Sequence, residues 1–342
     1  MDAQKREAMI ALCYGTRPEY VKLKPVMDVM RLEGFPFVSV FTRQHPREFV
    51  LYDGHEPDVI LNSGNDLNST IAGILQSTGL LKSPVLVQGD TASAFACALS
   101  AFNRKCRIYH LEAGLRSYNL AHPYPEEGYR RMITQIAQVH LAPTRMAAQN
   151  LASEGITKNV HVVGNTGLDN LLPMVENNMP ETGNTILITL HRRENHPIML
   201  SWYMAISDLA EAYPELYFKL CLHPNPEVRK HIGIIGKKVE VVEPIRPDEM
   251  QYVLAAARLI ITDSGGLQEE GAFLGKKVIV CRKVTERPEG LETGHLVMCQ
   301  YPQDLAQIFA DTLKAKAVTA PCPYGDGRSA LRVYDIIRQI EA

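Results

Sequence analysis

Charged side chains stand directly after several apolar runs of this sequence. Arg17 and Lys22 follow MIALCY, Asp90 follows VLVQ, and Glu112 follows RIYHL. A glutamate at the end of a buried strand, with no adjacent cation in the sequence, is costly to desolvate, which favours a functional role for Glu112. Asp90, taken on its own, is better explained as the cap of a following helix. Arg17 and Lys22 suit either a bound pyrophosphate or a solvated helix start.

Further acids and histidines extend this pattern. Glu126 and Glu127 follow Pro125, and acids in the first turn of a helix also interact favourably with its dipole, so both remain open to that structural explanation. In the second half, His191 follows ILITL and His223 follows KLCL. Two histidines that leave successive strands toward one edge favour a shared ligand over two unrelated structural hydrogen bonds.

The segment TDSGGLQEE is the sharpest local signal. Ser264, Gly265 and Gly266 open a helix there, where free backbone N–H groups and the positive end of the dipole form a phosphate site. Glu270, farther along the same helix, is placed to hydrogen-bond ribose hydroxyls. An ordinary glycine-rich turn is the alternative, and the later sequence TERPE makes it the less favoured one.

Short apolar runs alternate with helical patterns along the whole chain. Near-continuous apolar strands separated by helices indicate parallel sheets that are covered on both faces. Six predicted strands precede the polar segment at 167–183 and six follow it. We therefore expect an α/β protein with two Rossmann-like domains facing a central cleft, with ligands beyond the carboxyl ends of the strands. The predicted domains are 1–167 and 168–326, and a terminal helix in 327–342 packs back on the first.

Composition narrows the class of protein. A length of 342 residues exceeds one ordinary core, and 46% hydrophobic with 22% charged residues is typical of a globular protein. The net charge of −2, without a lysine or arginine block, predicts neither a nucleic acid nor a membrane partner. Seven cysteines without CxxC spacing predict reduced thiols and a cytoplasmic location, and they do not form a metal-binding pattern.

Nine motifs occur in one order and spacing. They are GTRPE, QGDT, HLEAGLRS, YPEEGYRR, VVGNTGLDNL, TLHRRE, TDSGGLQEE, KVTERPE and YGDG. Together they closely resemble the non-hydrolysing UDP-N-acetylglucosamine 2-epimerase family, over nearly the whole chain. The resemblance implies a glycosyltransferase-B-like fold and a homodimer that interconverts UDP-GlcNAc and UDP-ManNAc for polysaccharide biosynthesis. It implies no metal and no cofactor such as a nicotinamide.

The resemblance also assigns site residues. Catalytic roles fall on four positions: Asp90, Glu112, Glu126 and His191. Substrate-binding roles fall on eight: Arg17, Lys22, His223, Ser264, Gly265, Gly266, Glu270 and Arg287. Hydrolysing relatives have a GTRAD-like first loop, so Pro18-Glu19 favours the non-hydrolysing branch.

Two departures from the family pattern bear on substrate and regulation. Tyr129 replaces the asparagine of PEE-x-NR. The usual TGQH-x-EML loop reads TRQHPREF over Thr42–Phe49, with Arg43 in place of a glycine. In bacterial members this loop helps to bind a second, activating UDP-GlcNAc, so the resemblance does not carry that regulation over to this chain.

Epimerisation at C2 needs support for a departing diphosphate and proton-transfer groups on both faces of the sugar. In our preferred hypothesis Asp90 is the base that removes the C2 proton. Glu112 and Glu126 transfer the proton at the second face of the sugar, and His191 assists the departure of the phosphate. Three alternatives remain. They are an epimerase of another UDP-2-acetamido sugar, such as a diacetamido uronic acid, a UDP-sugar-dependent glycosyltransferase, and a non-catalytic nucleotide-sugar-binding protein.

Overall fold

A computed structural model describes residues 9–51, 53–61, 64, 66–77, 83–177 and 179–342. The chain divides into two compact units. The first comprises Met1–Asn170 and Gly325–Ala342, and the second comprises Leu171–Tyr324. No helix in the described ranges combines the length and the apolar character that a membrane span requires.

The first unit is built on a seven-stranded parallel sheet with the order β3-β2-β1-β4-β5-β6-β7. Its strands are β1 Ile10–Tyr14, β2 Phe37–Phe41, β3 Val59–Ile60, β4 Val85–Gln88, β5 Ile108–Leu111, β6 Val139–Ala142 and β7 Val160–Val162. The central strands are buried along their length, and apolar clusters cover both faces of the sheet. This explains why these strands read as continuous apolar runs.

Helices connect these strands and begin at residues that suit a helix start. The first six are α1 Arg17–Leu32, α2 Arg47–Val50, α3 Leu67–Ser77, α4 Ala92–Asn103, α5 Glu126–Ile136 and α6 Arg145–Ser153. Thr16, Thr91 and Thr144 cap α1, α4 and α6 with their hydroxyls. In α5, Glu126 and Glu127 occupy the first turn, where acids interact favourably with the helix dipole.

The second unit repeats the same design with six parallel strands in the order β10-β9-β8-β11-β12-β13. The strands are β8 Thr185–Thr189, β9 Tyr217–Cys221, β10 Val239–Val242, β11 Leu259–Thr262, β12 Val278–Val280 and β13 Leu296–Met298. Its helices are α7 Leu172–Asn177, α8 Met199–Ala212, α9 Pro226–Arg229, α10 Pro247–Ala256, α11 Gly265–Phe273, α12 Glu289–Glu292 and α13 Leu305–Lys314. Short 3-10 helices span Thr166–Leu171, Arg193–Ile198, Ile232–Ile234 and Pro302–Asp304.

The last helix, α14 Ser329–Glu341, belongs to the first unit. Val333, Tyr334 and Ile337 are buried in the same apolar cluster as α1. The carboxylate of Asp169 accepts the backbone N–H groups of Ser329 at 3.1 Å and of Ala330 at 2.7 Å, which anchors the start of the helix.

The predicted α/β class with two parallel, Rossmann-like sheets is confirmed. In both sheets the first strand lies at the centre and the chain winds outward to either side, as in doubly wound folds. The first sheet has one strand more than the six predicted, because β3 is only two residues long and leaves no readable pattern. The post-strand residues of each unit therefore meet at one edge of that unit's sheet.

Candidate active site

Glu112 lies directly after β5 and accepts hydrogen bonds from two side chains. The Lys22 ammonium of α1 pairs with Oε1, and the Gln88 amide at the end of β4 donates to Oε2. The sequence around Glu112 did not reveal this cation, because Lys22 lies 90 positions away along the chain. Both partners are largely buried, with side-chain exposures of 15% for Lys22 and 12% for Glu112. Glu112 also adopts a left-handed φ of 67°, a strained conformation that clusters at functional sites.

The turn after β4 places Asp90 beside this pair. Gly89 has a φ of 71°, and a Cβ built there would come within 3.4 Å of Glu112 Oε2. The imidazole of His110, fully buried in β5, has Nε2 2.8 Å from the Gly89 carbonyl oxygen. Burial lowers the pKa of His110 to about 3, so the ring is neutral and donates this hydrogen bond. The hydrogen bond from His110 thus fixes the backbone that leads into Asp90.

Asp90 itself is held by Arg130 of α5. The Arg130 Nε lies 2.9 Å from Asp90 Oδ2, and one terminal nitrogen donates to the same oxygen. The other terminal nitrogen lies 3.2 Å from Oε2 of Glu127. Glu127 is fully buried and also accepts the backbone N–H groups of Ser117 and Tyr118, at 3.0 and 3.2 Å. Glu127 therefore has a structural role: it orients the arginine that grips Asp90.

Glu126 differs from its neighbour Glu127. Its Oε2 atom is buried and has no hydrogen-bond partner among the residues that the structure describes. A buried carboxylate oxygen without a partner is costly, and such atoms need an explanation such as a ligand or a catalytic role. One helical turn along, the ring of Tyr129 stacks on Phe95 of α4, with centroids 5.2 Å apart. This stack connects α5 to the helix that follows Asp90.

The loop after β1 is packed too tightly for any side chain at Gly15. A Cβ there would lie 2.1 Å from Thr42 Oγ1 and 2.3 Å from Ser93 Oγ. Glu19 is buried beneath the loop and accepts the N–H groups of Gly15 and Thr16 at 2.9 and 2.7 Å. Burial raises its pKa, although these hydrogen bonds oppose the shift. This packing sets the position of Arg17, the first residue of α1.

In the second unit, Asp263 organises the residues after β8. It is fully buried, and it accepts the backbone N–H groups of His191 and Arg192 and the Asn195 amide, each at 2.9 Å. The His191 Nδ1 lies 3.5 Å from Asp263 Oδ1. The rings of His191 and His223 stack with their centroids 5.0 Å apart. The two histidines predicted to share a ligand are thus in contact.

His191 is neutral at neutral pH. Burial lowers the pKa of its imidazole to about 4, even though the Asp263 carboxylate opposes the shift. A neutral ring with Nδ1 directed at a buried carboxylate presents Nε2 to a ligand. Because Asp263 holds both the backbone and the ring of His191, it acts as the positioning residue for the second half of the site.

The SGG segment begins α11 as predicted. Ser264 is the N-cap residue, and Gly265 and Gly266 form the first turn. A Cβ on Gly265 would lie 2.7 Å from the Arg287 guanidinium carbon, so only glycine fits there without displacing the arginine. Arg287 is buried, and its Nε pairs with Glu269 at 2.6 Å. The structure thus places the Arg287 guanidinium against the first turn of α11. Glu270 lies on the first turns of the same helix.

A second arginine adds positive charge beside this helix start. The Arg192 Nε is buried and has no hydrogen-bond partner in the described part of the chain. Burial and the nearby guanidinium of Arg282 lower the pKa of Arg192. Arg282 is neutralised by Glu194 at 2.6 Å and Glu286 at 2.8 Å, whereas Arg192 has no ion pair with a described acid. The motif HRRE contained Arg192, but its spacing gave no reason to single it out.

The comparison with known proteins decides the family. The family model described as UDP-N-acetylglucosamine 2-epimerase matches residues 51–338. A Neisseria meningitidis serogroup A protein named UDP-N-acetylglucosamine 2-epimerase is 34% identical over 357 residues, which cover 93% of this chain and 95% of that protein. The chain belongs to the UDP-N-acetylglucosamine 2-epimerase family.

Solved structures of this family have the same fold. The Neisseria meningitidis UDP-GlcNAc 2-epimerase bound to UDP-GlcNAc has a TM-score of 0.88 and 31% identity, covering 97% of this chain and 100% of that chain. The S. aureus MnaA structure with UDP has a TM-score of 0.89 and 34% identity, covering 97% and 96%. The resemblance derived from the motifs and the glycosyltransferase-B-like fold class are thereby confirmed.

Within this 2-epimerase framework, sequence reasoning missed three positioning residues. Arg130 follows Glu126 by four positions on α5 and Glu127 by three, a spacing that brings side chains to one helix face. Asp263 was visible in the motif TDSGG as the residue after a buried strand. Gln88, the last residue of β4, was part of the motif QGDT but carried no signal of its bond to Glu112.

In the loop at 42–49, which departs from the family pattern, one residue has an unusual backbone conformation. Arg43, which stands where the family usually has glycine, adopts a left-handed φ of 60°. That conformation costs a non-glycine residue roughly 1–2 kcal/mol. The neighbouring Gln44 accepts both the N–H and the hydroxyl of Ser93, at 2.9 and 2.7 Å, which anchors the loop to the start of α4.

Proposed function

We propose that the protein is a non-hydrolysing UDP-GlcNAc 2-epimerase, an isomerase that interconverts UDP-GlcNAc and UDP-ManNAc. The membership of the family supports this activity, as do the names of relatives similar along nearly their whole length. The observations that carry the proposal are that Arg130, on the same helix as Glu126, grips Asp90, and that the turn at Gly89, next to Asp90, faces the Glu112 carboxylate. Pure nucleotide binding has no need of three such carboxylates.

The first unit supplies the proton chemistry in this proposal. Arg130 fixes the Asp90 carboxylate, so Asp90 is oriented to act as the base at C2. Two further carboxylates transfer the proton at the opposite face of the sugar. Glu112 is held there by Lys22 and Gln88, and Glu126 has a buried oxygen without a hydrogen-bond partner among the described residues. Positioned acid–base groups contribute about 10²–10⁴-fold each to a rate.

The second unit holds the nucleotide in this proposal. The N–H groups of Ser264, Gly265 and Gly266 at the start of α11 bind the diphosphate, and Glu270 binds the ribose. The half-buried, cationic Arg192, whose backbone N–H binds the Asp263 carboxylate before the helix start, adds electrostatic support. Solved structures of relatives support the proposed nucleotide binding, because one contains UDP-GlcNAc and another contains UDP.

The reaction follows from these placements. The C1–O bond breaks and its electron pair leaves with UDP, while the base removes the C2 proton, giving a 2-acetamidoglucal. A proton is then delivered to C2 from the other face, and UDP adds again at C1. Arg17 and His223 stabilise the diphosphate in its dissociated state, and His191 assists by donating to it from Nε2 once that atom has taken up a proton. Retention of UDP during this step requires that the site close over it.

We further propose a cytoplasmic homodimer whose first unit carries catalysis and whose second binds UDP. The seven cysteines, all of which lie in the described ranges, form no disulfide, which is typical of a reducing compartment. The family resemblance supports the dimer and a role in polysaccharide biosynthesis. Light scattering of the purified protein distinguishes a dimer from a monomer.

An altered sugar is the alternative substrate. Tyr129 favours it, because this departure from the family motif lies one helical turn from Glu126. If the physiological sugar is a diacetamido uronic acid, Tyr129→Asn should raise the turnover of UDP-GlcNAc relative to that sugar. An unchanged ratio would remove Tyr129 from sugar recognition.

The direct test of the proposed function is NMR of UDP-GlcNAc incubated with the purified protein. The proposal predicts that the anomeric signal of the manno epimer grows until a fixed ratio is reached, and that the same ratio is reached from UDP-ManNAc. Release of free UDP with transfer of the sugar to an acceptor would support a glycosyltransferase instead. UDP-GlcNAc that binds but remains unchanged would support a non-catalytic binding protein.

A further inference from the structure

A cavity of about 350 Å³ lies in the second unit, at the edge of that unit's sheet opposite the edge where His191 and Ser264 lie. Its walls come from the chain before β8, the start of β11, the segment between α11 and β12, and the end of α13 with the residues after it. These are amino ends of parallel strands, whereas His191 and Ser264 follow carboxyl ends. The cavity is therefore separate from the proposed substrate site, and its size falls within the range of small-molecule sites.

Among the described residues, three cations and no acidic side chain line the cavity. Arg258 precedes β11, and Lys276 and Lys277 precede β12. Among the described residues, none of the three forms an ion pair. Each has a neutral partner: Thr182 Oγ1 at 2.8 Å for Lys276, the Thr312 carbonyl at 3.3 Å for Lys277, and the Asn184 side chain at 3.2 Å for Arg258.

Burial of the Lys276 ammonium without a counter-ion is energetically unfavourable. Only 6% of the residue is exposed, and its ammonium donates to a hydroxyl. Burial lowers its pKa, as expected for a charge removed from water without a counter-ion. Buried charges in proteins are normally paired, so an ammonium facing a cavity with two further cations favours an anion that completes the pairing.

The ends of helices offer a simpler explanation, but only for part of the cluster. Both α11 and α13 finish beside the cavity, and cations interact favourably with carbonyl groups at a helix end. This accounts for Lys277, which donates to a carbonyl in the last turn of α13. It does not account for Lys276, whose partner is a threonine hydroxyl in the segment before β8.

We propose that this cavity binds a small organic phosphate at a second, non-catalytic site. Lys276, Lys277 and Arg258 pair with the phosphate, and the apolar body packs against Met179 and Leu313 at the cavity wall. The cavity lies at the end of α11, whose first turn forms the proposed diphosphate site. One nine-residue helix therefore connects the two anion sites.

The test is a calorimetric titration of the full chain with phenyl phosphate, with and without saturating UDP. We expect one equivalent to bind with an affinity that UDP leaves unchanged, and phenol, which lacks the anion, not to bind. Inorganic phosphate is the second arm: equal affinity assigns the site to free phosphate, and weaker affinity assigns it to an organic phosphate. Competition by UDP would place the phenyl phosphate in the substrate site and overturn the proposal.

Variants complete the test. Lys276→Met removes the buried ammonium and should weaken binding at least about tenfold, the effect of losing one charge-assisted hydrogen bond. Arg258→Gln alters an exposed cation, so the fold is retained, and it should also weaken binding severalfold. Lys237→Met, an exposed lysine outside the cavity, is the matched control and should bind as the wild type does. Full affinity in both cavity variants would refute the site.

Discussion

The guanidinium of Arg130 clamps the carboxylate of Asp90, with Nε 2.9 Å from Oδ2. The two residues lie 40 positions apart, on α5 and on the turn after β4. Since Glu127 fixes the far side of the same guanidinium, three residues form one chain of charge-assisted hydrogen bonds that ends at the proposed base. Asp90 is oriented before any substrate arrives.

Replacing the clamp should impair turnover more than binding. Arg130→Met leaves Asp90 without its partner, so we expect kcat to fall by about 10² or more while KM for the UDP-sugar changes little. Steady-state kinetics of the epimerase reaction measure both. Arg145→Met, at an exposed position of α6, is the matched control. If KM rises and kcat is unchanged, Arg130 contributes to binding and not to the orientation of Asp90.

Glu126 and Glu127 are neighbours whose substitutions should have opposite effects. Glu127→Gln weakens acceptance from two backbone N–H groups and Arg130, so the free energy of unfolding should fall by roughly 1–3 kcal/mol. Glu126→Gln removes an oxygen that has no protein partner among the described residues, so stability should be kept while turnover is lost. Urea denaturation and an activity assay on both variants check the pair. Loss of stability in Glu126→Gln with activity retained would reverse the assignment.

Buried histidines predict a loss of stability in mild acid. His140 is buried in β6, and burial lowers its pKa to about 4, from about 6.5 in an unfolded chain. Between those pH values this histidine binds more protons in the unfolded state, so its contribution lowers the free energy of unfolding as the pH is lowered from 6.5 to 4. His140→Gln removes the imidazole that binds this proton. The change of the free energy of unfolding with pH should therefore be smaller by up to about 1.4 kcal/mol per pH unit.

Urea denaturation at a series of pH values measures that slope. Exposed His122→Gln is the matched control, because that side chain has no buried environment to lose. A slope that is identical in the wild type and in His140→Gln would show that His140 is already accessible to protons in the folded protein.

Two glycines should respond to alanine with opposite signs. At Gly15 the new methyl would overlap the hydroxyls of Thr42 and Ser93, so Gly15→Ala should destabilise the protein and displace Arg17. Gly128 lies inside α5, and a methyl group added there would meet no described atom within 4 Å. Gly128→Ala should therefore stabilise the protein, by roughly 0.5–1 kcal/mol from helix propensity. Thermal unfolding of the two variants checks both signs.

The fold was predictable from the sequence because each element leaves a local pattern. Buried parallel strands appear as apolar runs, and threonines such as Thr91 and Thr144 mark helix starts. The strand β3 was missed because two residues cannot establish a period. The motifs gave the site residues and the family together, since several of them, such as GTRPE, QGDT and TDSGGLQEE, lie where a strand ends and a helix starts.

The pairings inside the site could not be predicted, because they join residues that are far apart in the sequence. Lys22 and Glu112 are separated by 90 positions, and His191 and Asp263 by 72. Spacing rules apply within one helix or one turn, so they cannot indicate which strand ends become neighbours. Only the strand order, with β1 beside β4 and β4 beside β5, brings Lys22, Gln88 and Glu112 together.

The account rests on removal and return of the C2 proton by the carboxylates of the first unit. The most direct test is incubation of UDP-GlcNAc with the enzyme in deuterated water, followed by mass spectrometry and NMR of the sugar. We predict one deuterium at C2 of the product and none with Asp90→Asn, which should still bind UDP. Epimerised product without deuterium at C2, or full incorporation by Asp90→Asn, would contradict the account.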